Sequence, residues 1–211
     1  FEPVHFTLEL VGRRETSRND PNNGPPTDDV ENIFRQTLTM STTGFIGHPN
    51  LVELNLLGTF GVEEQFIDDE SINRHENPLK FIDEYDVSAL ILKQSDLPTT
   101  VYSRRDQTLI DRQFGNSIDS TVMETGARML WRNRTLPSNF HYFHRQEDQT
   151  DHQNLSDFHL IQDTFEWQSQ YQPAANQQLT WDYTFDNVDE SGALQQPNSF
   201  QRHNGVATHT I

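Results

Sequence analysis

The chain has 211 residues, a net charge of −17 and a pI near 4.7, and only 33% of it is hydrophobic, with a mean hydropathy of −0.78. The acidic surplus argues against sequence-independent nucleic-acid binding, which depends on Lys and Arg neutralising phosphates, so no nucleic-acid partner is expected. The absence of cysteine rules out disulfides, thiolate metal sites and cysteine catalysis. No run of about 18 apolar residues is present, which excludes a transmembrane helix but not a membrane β-barrel.

Low hydrophobicity with high net charge is also the mark of disorder. Against disorder, 10% of the residues are aromatic and the apolar residues alternate with polar ones at a period of two, the spacing of a strand with one apolar face. The chain begins without Met, directly in such a segment: Val4, Phe6, Leu8 and Leu10 stand opposite His5, Thr7 and Glu9. This beginning is expected of a mature form or an excised fragment. An acidic, polar stretch over 13–31 reads as a loop, a weaker strand occupies roughly 32–46, and Gly47, His48, Pro49 and Asn50 read as a tight turn. The next strand places Val52, Leu54, Leu56, Phe60 and Val62 on one face and Glu53, Asn55 and Thr59 on the other.

A second long acidic loop is expected over 63–84, then a strand near 83–94, a turn at 95–98 and a strand near 99–111. After a third polar stretch, 104–117, Met123, Thr125, Ala127, Met129 and Trp131 alternate with Glu124, Arg128 and Arg132. A turn at 135–138, a strand near 138–147, a loop over 145–157 and a strand near 156–171 follow, then a turn at 172–176. The clearest alternation is Leu179, Trp181, Tyr183 and Phe185 against Thr180, Asp182 and Thr184; a loop over 186–199 and a fragmentary strand after Phe200 close the chain. About ten strands result, many of ten residues or more, where strands of soluble domains average about 5 to 6 and a tilted transmembrane strand needs about 9 to 11. Tight Pro- or Gly-containing turns alternating with long polar connections are the pattern of an up-and-down barrel. A propeller blade would need four short strands in the roughly 40 residues that hold two long ones here.

The turns at Leu97-Pro98 and Leu136-Pro137, followed by strands with aromatic and Arg-rich ends (Thr99-Thr100-Val101-Tyr102-Ser103-Arg104-Arg105 and Ser138-Asn139-Phe140-His141-Tyr142-Phe143), carry a resemblance. In this pattern the chain resembles the large, porin-like outer-membrane β-barrel proteins of Gram-negative bacteria. That resemblance implies an all-β, antiparallel up-and-down transmembrane β-barrel over 1–211, located in the bacterial outer membrane. Its partners would be the lipid bilayer and lipopolysaccharide, with further barrel strands or a lumenal protein as additional ones. The implied function is a pore, or the housing of a partner protein, for passive transport or as a scaffold. Such barrels usually end in a strand with a terminal aromatic residue, whereas this chain ends Ala207-Thr208-His209-Thr210-Ile211. An opened barrel with further strands is therefore expected, a small complete barrel being the other option. The rival from another class is a soluble or surface β-sandwich that binds carbohydrate or protein.

On the barrel reading, Glu53, Asn55, Glu124, Arg128, Arg132, Asp163, Glu166 and Asp182 are lumen-facing candidates, able to set up an ion-selective constriction. Leu54, Leu56, Phe60, Trp131, Trp167, Tyr171, Leu179, Trp181, Tyr183 and Phe185 are lipid-facing or girdle candidates, with Phe165 as a further girdle ring. Amphipathic rings settle where hydrocarbon meets water, while a soluble sandwich would use the same residues as core. His141, His144, His152 and His159 bring imidazoles together in sequence. Positions 141 and 144 point to opposite faces of a strand, however, so no metal site is expected. The acidic runs Glu63-Glu64 and Asp68-Asp69-Glu70 lack calcium-loop spacing and read as solvated loops. No phosphate-cradling glycine loop, nucleophile elbow or His-Glu-x-x-His pair is present, so neither catalysis nor a cofactor is expected. The sequons at Asn133 and Asn154 count only in a eukaryotic secreted protein and are taken as chance matches.

Overall fold

The fold is that of a computed structural model, which describes residues 1–19, 27–69, 74–76, 79–110, 118–151, 157–174, 176–192 and 195–210. Eleven strands make up these residues: β1 (His5–Asn19), β2 (Thr27–Ile46), β3 (Val52–Asp69), β4 (Arg74–Glu76), β5 (Leu79–Ile91), β6 (Thr99–Ile110), β7 (Ile118–Trp131), β8 (Ser138–Asp151), β9 (Asp157–Ala174), β10 (Gln177–Gly192) and β11 (Gln195–Thr210). They form one antiparallel up-and-down sheet in the order β1-β2-β3-β5-β6-β7-β8-β9-β10-β11, with the short β4 paired to β3 alone. The order is linear, and β1 and β11 stand at its two ends. Among the described residues there is no helix.

The chain divides into two compact units. Unit 1 comprises Phe1–Glu2, Thr42–Leu56 and Tyr85–Ile211, and unit 2 comprises Pro3–Ser41 and Leu57–Glu84.

The tight turns follow their residue chemistry. Gly47 has φ 75°, a region glycine enters without a steric penalty, and the Leu51 N–H donates back to the His48 carbonyl at 2.8 Å. In the next turn Leu92 takes φ 53°, and the Ser95 N–H closes onto its carbonyl at 2.8 Å. Asn133 Oδ1 accepts from the N–H groups of Thr135 at 2.8 Å and Leu136 at 3.1 Å. This side-chain mimic of a backbone turn gives Asn133 a structural task; Asn154, the other sequon, lies outside the described residues. The fourth turn is tighter than 172–176, because Gln172, Pro173 and Ala174 belong to β9. The register slips there, between Gln177↔Ala174 and Leu179↔Tyr171, and an irregularity is where a sheet admits a residue without an N–H.

The polar stretches expected as long loops are largely strand. β1 continues to Asn19 and β2 begins at Thr27; β3 runs to Asp69; β6 ends at Ile110 and β7 begins at Ile118; β8 ends at Asp151; β10 reaches Gly192 and β11 begins at Gln195. Pairing needs only backbone N–H and C=O groups. Polar residues on both faces erase the alternation that marks a strand in the sequence without weakening its ladder. Strands of 12 to 20 residues result, β4 apart.

Residues paired across neighbouring strands share a face, so the register sorts the side chains. In unit 2, Leu8 pairs with Leu38 and Phe6 with Met40 on one face, while Thr7 pairs with Thr39 and Glu9 with Thr37 on the other. The Thr39 and Thr59 hydroxyls are 3.1 Å apart, and Arg35 and Glu63 form an ion pair. These contacts extend the polar face into β3 and leave Phe60 on the apolar one. Gly61 is required here, because a Cβ would run into the Gln36 carbonyl and the Thr37 side chain.

Candidate functional site

The strands β6 to β11 of unit 1 hold a continuous polar face. One row across it reads Tyr102, Gly126, Phe143, Thr164, Asp186 and Arg202. The neighbouring rows add Arg104, Glu124 and Arg145 on one side and Arg128, His141 and Glu166 on the other. Glu124, Thr164 and Asp186 are buried on this face, and each is satisfied. The Tyr102 hydroxyl donates to Glu124 Oε1 at 2.8 Å and Arg104 Nη2 donates to Glu124 Oε2 at 3.1 Å. Thr164 Oγ1 donates to Asp186 Oδ1 at 2.8 Å, and Arg202 grips Asp186 Oδ2 from Nε at 2.9 Å and Nη2 at 2.7 Å. Buried polar groups persist only when paired in this way.

Tyr102 reaches past β7 to β8. Its hydroxyl lies 2.9 Å from His141 Nε2, and His141 Nδ1 lies 3.0 Å from Glu166 Oε2. Gly126 permits this reach, since a Cβ there would stand 2.7 Å from the Tyr102 hydroxyl and 2.6 Å from the Tyr142 carbonyl oxygen. The result is a chain, Glu124–Tyr102–His141–Glu166, across four strands. The phenol has one proton to give. With both carboxylates ionised, all three contacts are met only if the imidazole donates from both nitrogens; a neutral imidazole meets two of the three.

The opposite face of the same strands is apolar near the tight turns. Val101, Ala127 and Tyr142 form one row, and Met129, Phe140, Trp167 and Tyr183 another. Phe140 stacks on Trp167 with ring centroids 6.1 Å apart, and Trp167 meets the edge of Trp181 at 5.5 Å. Along β7 this face runs from Trp131 to Met123, eight residue steps or about 26 Å of strand. Its far margin is marked by two tyrosines. Tyr142 donates to Asp163 Oδ1 at 2.8 Å, with His144 Nδ1 on the same oxygen at 2.9 Å, and the Tyr183 hydroxyl lies 2.9 Å from His203 Nδ1. Both rings lie in the apolar band and point their hydroxyls away from the turns. Beyond them the face turns polar, with Gln146, Asp148 and His159.

Of the polar residues singled out by sequence, Glu124, Arg128, Glu166 and Asp182 share the polar face. Arg132 lies just past β7 at the turn end, its guanidinium donating to the Lys93 carbonyl at 3.3 Å and the Ser95 carbonyl at 3.5 Å. Glu53 pairs with Lys93 at 2.8 Å, and Asn55 is exposed two residues further along β3. Asp163 does not join this set: it lies on the opposite face, beside His144, because positions 163 and 166 differ by an odd number of residues. Trp131, Trp167, Tyr171, Leu179, Trp181, Tyr183 and Phe185 all share the apolar face of unit 1. Leu54 and Leu56 lie on the face of β3 opposite Glu53 and Asn55. Thr164, Asp186 and Arg202 were not singled out by sequence, and Tyr102, Arg104 and His141, noted in the turn-and-strand pattern or among the imidazoles, were not placed with Glu124. Their signal was parity with Glu124, readable only once the register of each hairpin is known.

His141 and His144 do point to opposite faces, and His152 lies outside the described residues. Among the described residues no group of three or more His, Asp or Glu side chains is arranged to hold a metal ion. The sequence matches no known protein family, and no curated protein is similar to it.

Proposed function

We propose that this chain forms wall of a transmembrane β-barrel in a bacterial outer membrane, its apolar face toward lipid and its polar face toward a water-filled lumen, and that it serves the passive passage of solutes. One observation carries this reading. Only Ile82, Ile118 and Val188 are buried hydrophobic residues among those described, whereas Glu124, Thr164 and Asp186 of the polar face are buried and Val101, Met123, Trp131 and Tyr142 of the apolar face are exposed. A water-soluble sheet of this size buries its apolar face and solvates its polar one. Here the distribution is the reverse, and lipid is the solvent that makes it favourable.

Three further features support the proposal. The strands other than β4 exceed the roughly 9 to 11 residues that a tilted strand needs to cross a bilayer. The apolar stretch of β7, nine residues from Trp131 to Met123, matches that crossing length. Tyrosines with apolar rings and hydrogen-bonded hydroxyls mark its margin, as amphipathic rings do at a membrane interface. Among the described residues no helix is long and apolar enough to cross a membrane, so crossing falls to the strands.

The test is purification with and without detergent, followed by reconstitution of the full chain in a planar lipid bilayer. The proposal expects solubility only with detergent, slower gel migration after boiling, and stepwise conductance. A monodisperse protein in plain buffer would overturn it in favour of a soluble β-sandwich.

A further inference from the structure

We infer that the lumen formed by the polar face favours small hydrated cations over anions. The inference rests on the pore reading above and deepens it by naming the class of solute.

It follows from which charges on this face are neutralised and which are free. Three of its arginines are held by carboxylates of the same face: Arg104 by Glu124 at 3.1 Å, Arg145 by Glu147 at 2.7 Å and Arg202 by Asp186 at 2.7 Å. Each pair is close to neutral as seen from the lumen. What remains sets the field. Asp86 of β5, Asp106 of β6, and Asp182 and Glu190 of β10 share the face by register. None of the four forms an ion pair among the described residues; Asp106 also acts electrostatically on Arg104, whose guanidinium Glu124 already holds, and Asp86, Asp106 and Asp182 are exposed. Among the described strand residues of this face from Tyr85 onward, one cation stands outside an ion pair, Arg128, also exposed.

The free charge is thus negative and is spread from β5 to β10 instead of being gathered at one point. A spread of this kind holds no ion tightly, which suits conduction; it enriches cations near the wall and depletes anions. Because the groups face water, the effect depends on screening, which reaches about 10 Å at 0.1 M salt and only about 3 Å at 1 M.

The experiment is the reversal potential of the full-length chain in a planar bilayer under a KCl gradient. The expected result is potassium favoured over chloride several-fold near 0.1 M, with the preference fading toward 1 M. Neutralising two free groups of the polar face, Asp106→Asn with Asp182→Asn, should reduce the preference. Arg128→Gln should increase it. Asp189→Asn, on the opposite face of β10, should leave it unchanged. Heat-modifiable migration confirms that each variant folds, and all four positions are exposed and isosterically replaced or shortened little. Conductance without cation preference, or a preference that moves with Asp189→Asn and not with the double variant, overturns this inference while sparing the pore. A folded, inserted protein that does not conduct overturns the pore reading and this inference with it.

Discussion

The two faces of β6 to β11 are built from the same strands in the same register, and they solve opposite problems. On the polar face side chains find each other: Glu124, Tyr102, His141 and Glu166 are linked from strand to strand, and Asp186 is held by Thr164 and Arg202. On the other face the aromatic rings stack among themselves but leave Val101, Met123 and Trp131 exposed. Specific pairing thus runs across the polar side, while on the other side it gathers at the margins of the apolar band, as where Asp163 takes Tyr142 and His144, and non-directional contact fills the band between. A protein in water would invert this division, since exposed apolar surface is what its folding removes.

The contrast can be broken most severely from the apolar side. Ala127→Arg places a charge in the middle of the band beside Val101 and Tyr142, and about 2 to 4 kcal/mol of stability should be lost in lipid vesicles. The urea midpoint of unfolding from those vesicles reads this loss. Glu124→Ala strikes the polar face. It removes the acceptor of both Tyr102 and Arg104, with an expected cost of about 1 to 3 kcal/mol in the same assay. Gly126→Ala tests the reach of Tyr102. The added Cβ displaces the phenol from His141 and presses on the Tyr142 carbonyl, for about 1 to 3 kcal/mol; Tyr102→Phe made together with it should cost less than the two changes summed, because they share one contact. Arg13→Ala, which removes an exposed ion pair with Glu15 in unit 2, should change stability by no more than about 0.5 kcal/mol.

The sequence was most legible where the two faces differ most. From Leu179 to Phe185 and from Met123 to Trp131 the alternation names both faces correctly, since one side is apolar and the other is not. Beyond Asn187 on β10 or Thr121 on β7 the apolar side runs out and Val188 and Ile118 stand alone, so the strands read as loops although the backbone pairing continues to Gly192↔Gln195 and Ile118↔Asp151. Asp163 was misplaced although its odd spacing from Glu166 already puts the two on opposite faces of one strand. A carboxylate at the margin of an apolar band looks in sequence like one on the polar face. The partners of Glu124 were hidden for a related reason: which residues meet across a hairpin depends on the exact length of its turn. At Pro173 that length differs from what the Pro-containing motif implies.

Tryptophan fluorescence tests most directly whether the apolar face contacts lipid. All three tryptophans of the chain, Trp131, Trp167 and Trp181, lie on that face. In vesicles carrying brominated acyl chains their emission should be strongly quenched, while aqueous iodide should quench it little. Strong quenching by iodide with no response to brominated lipid would place the rings in water and contradict the account.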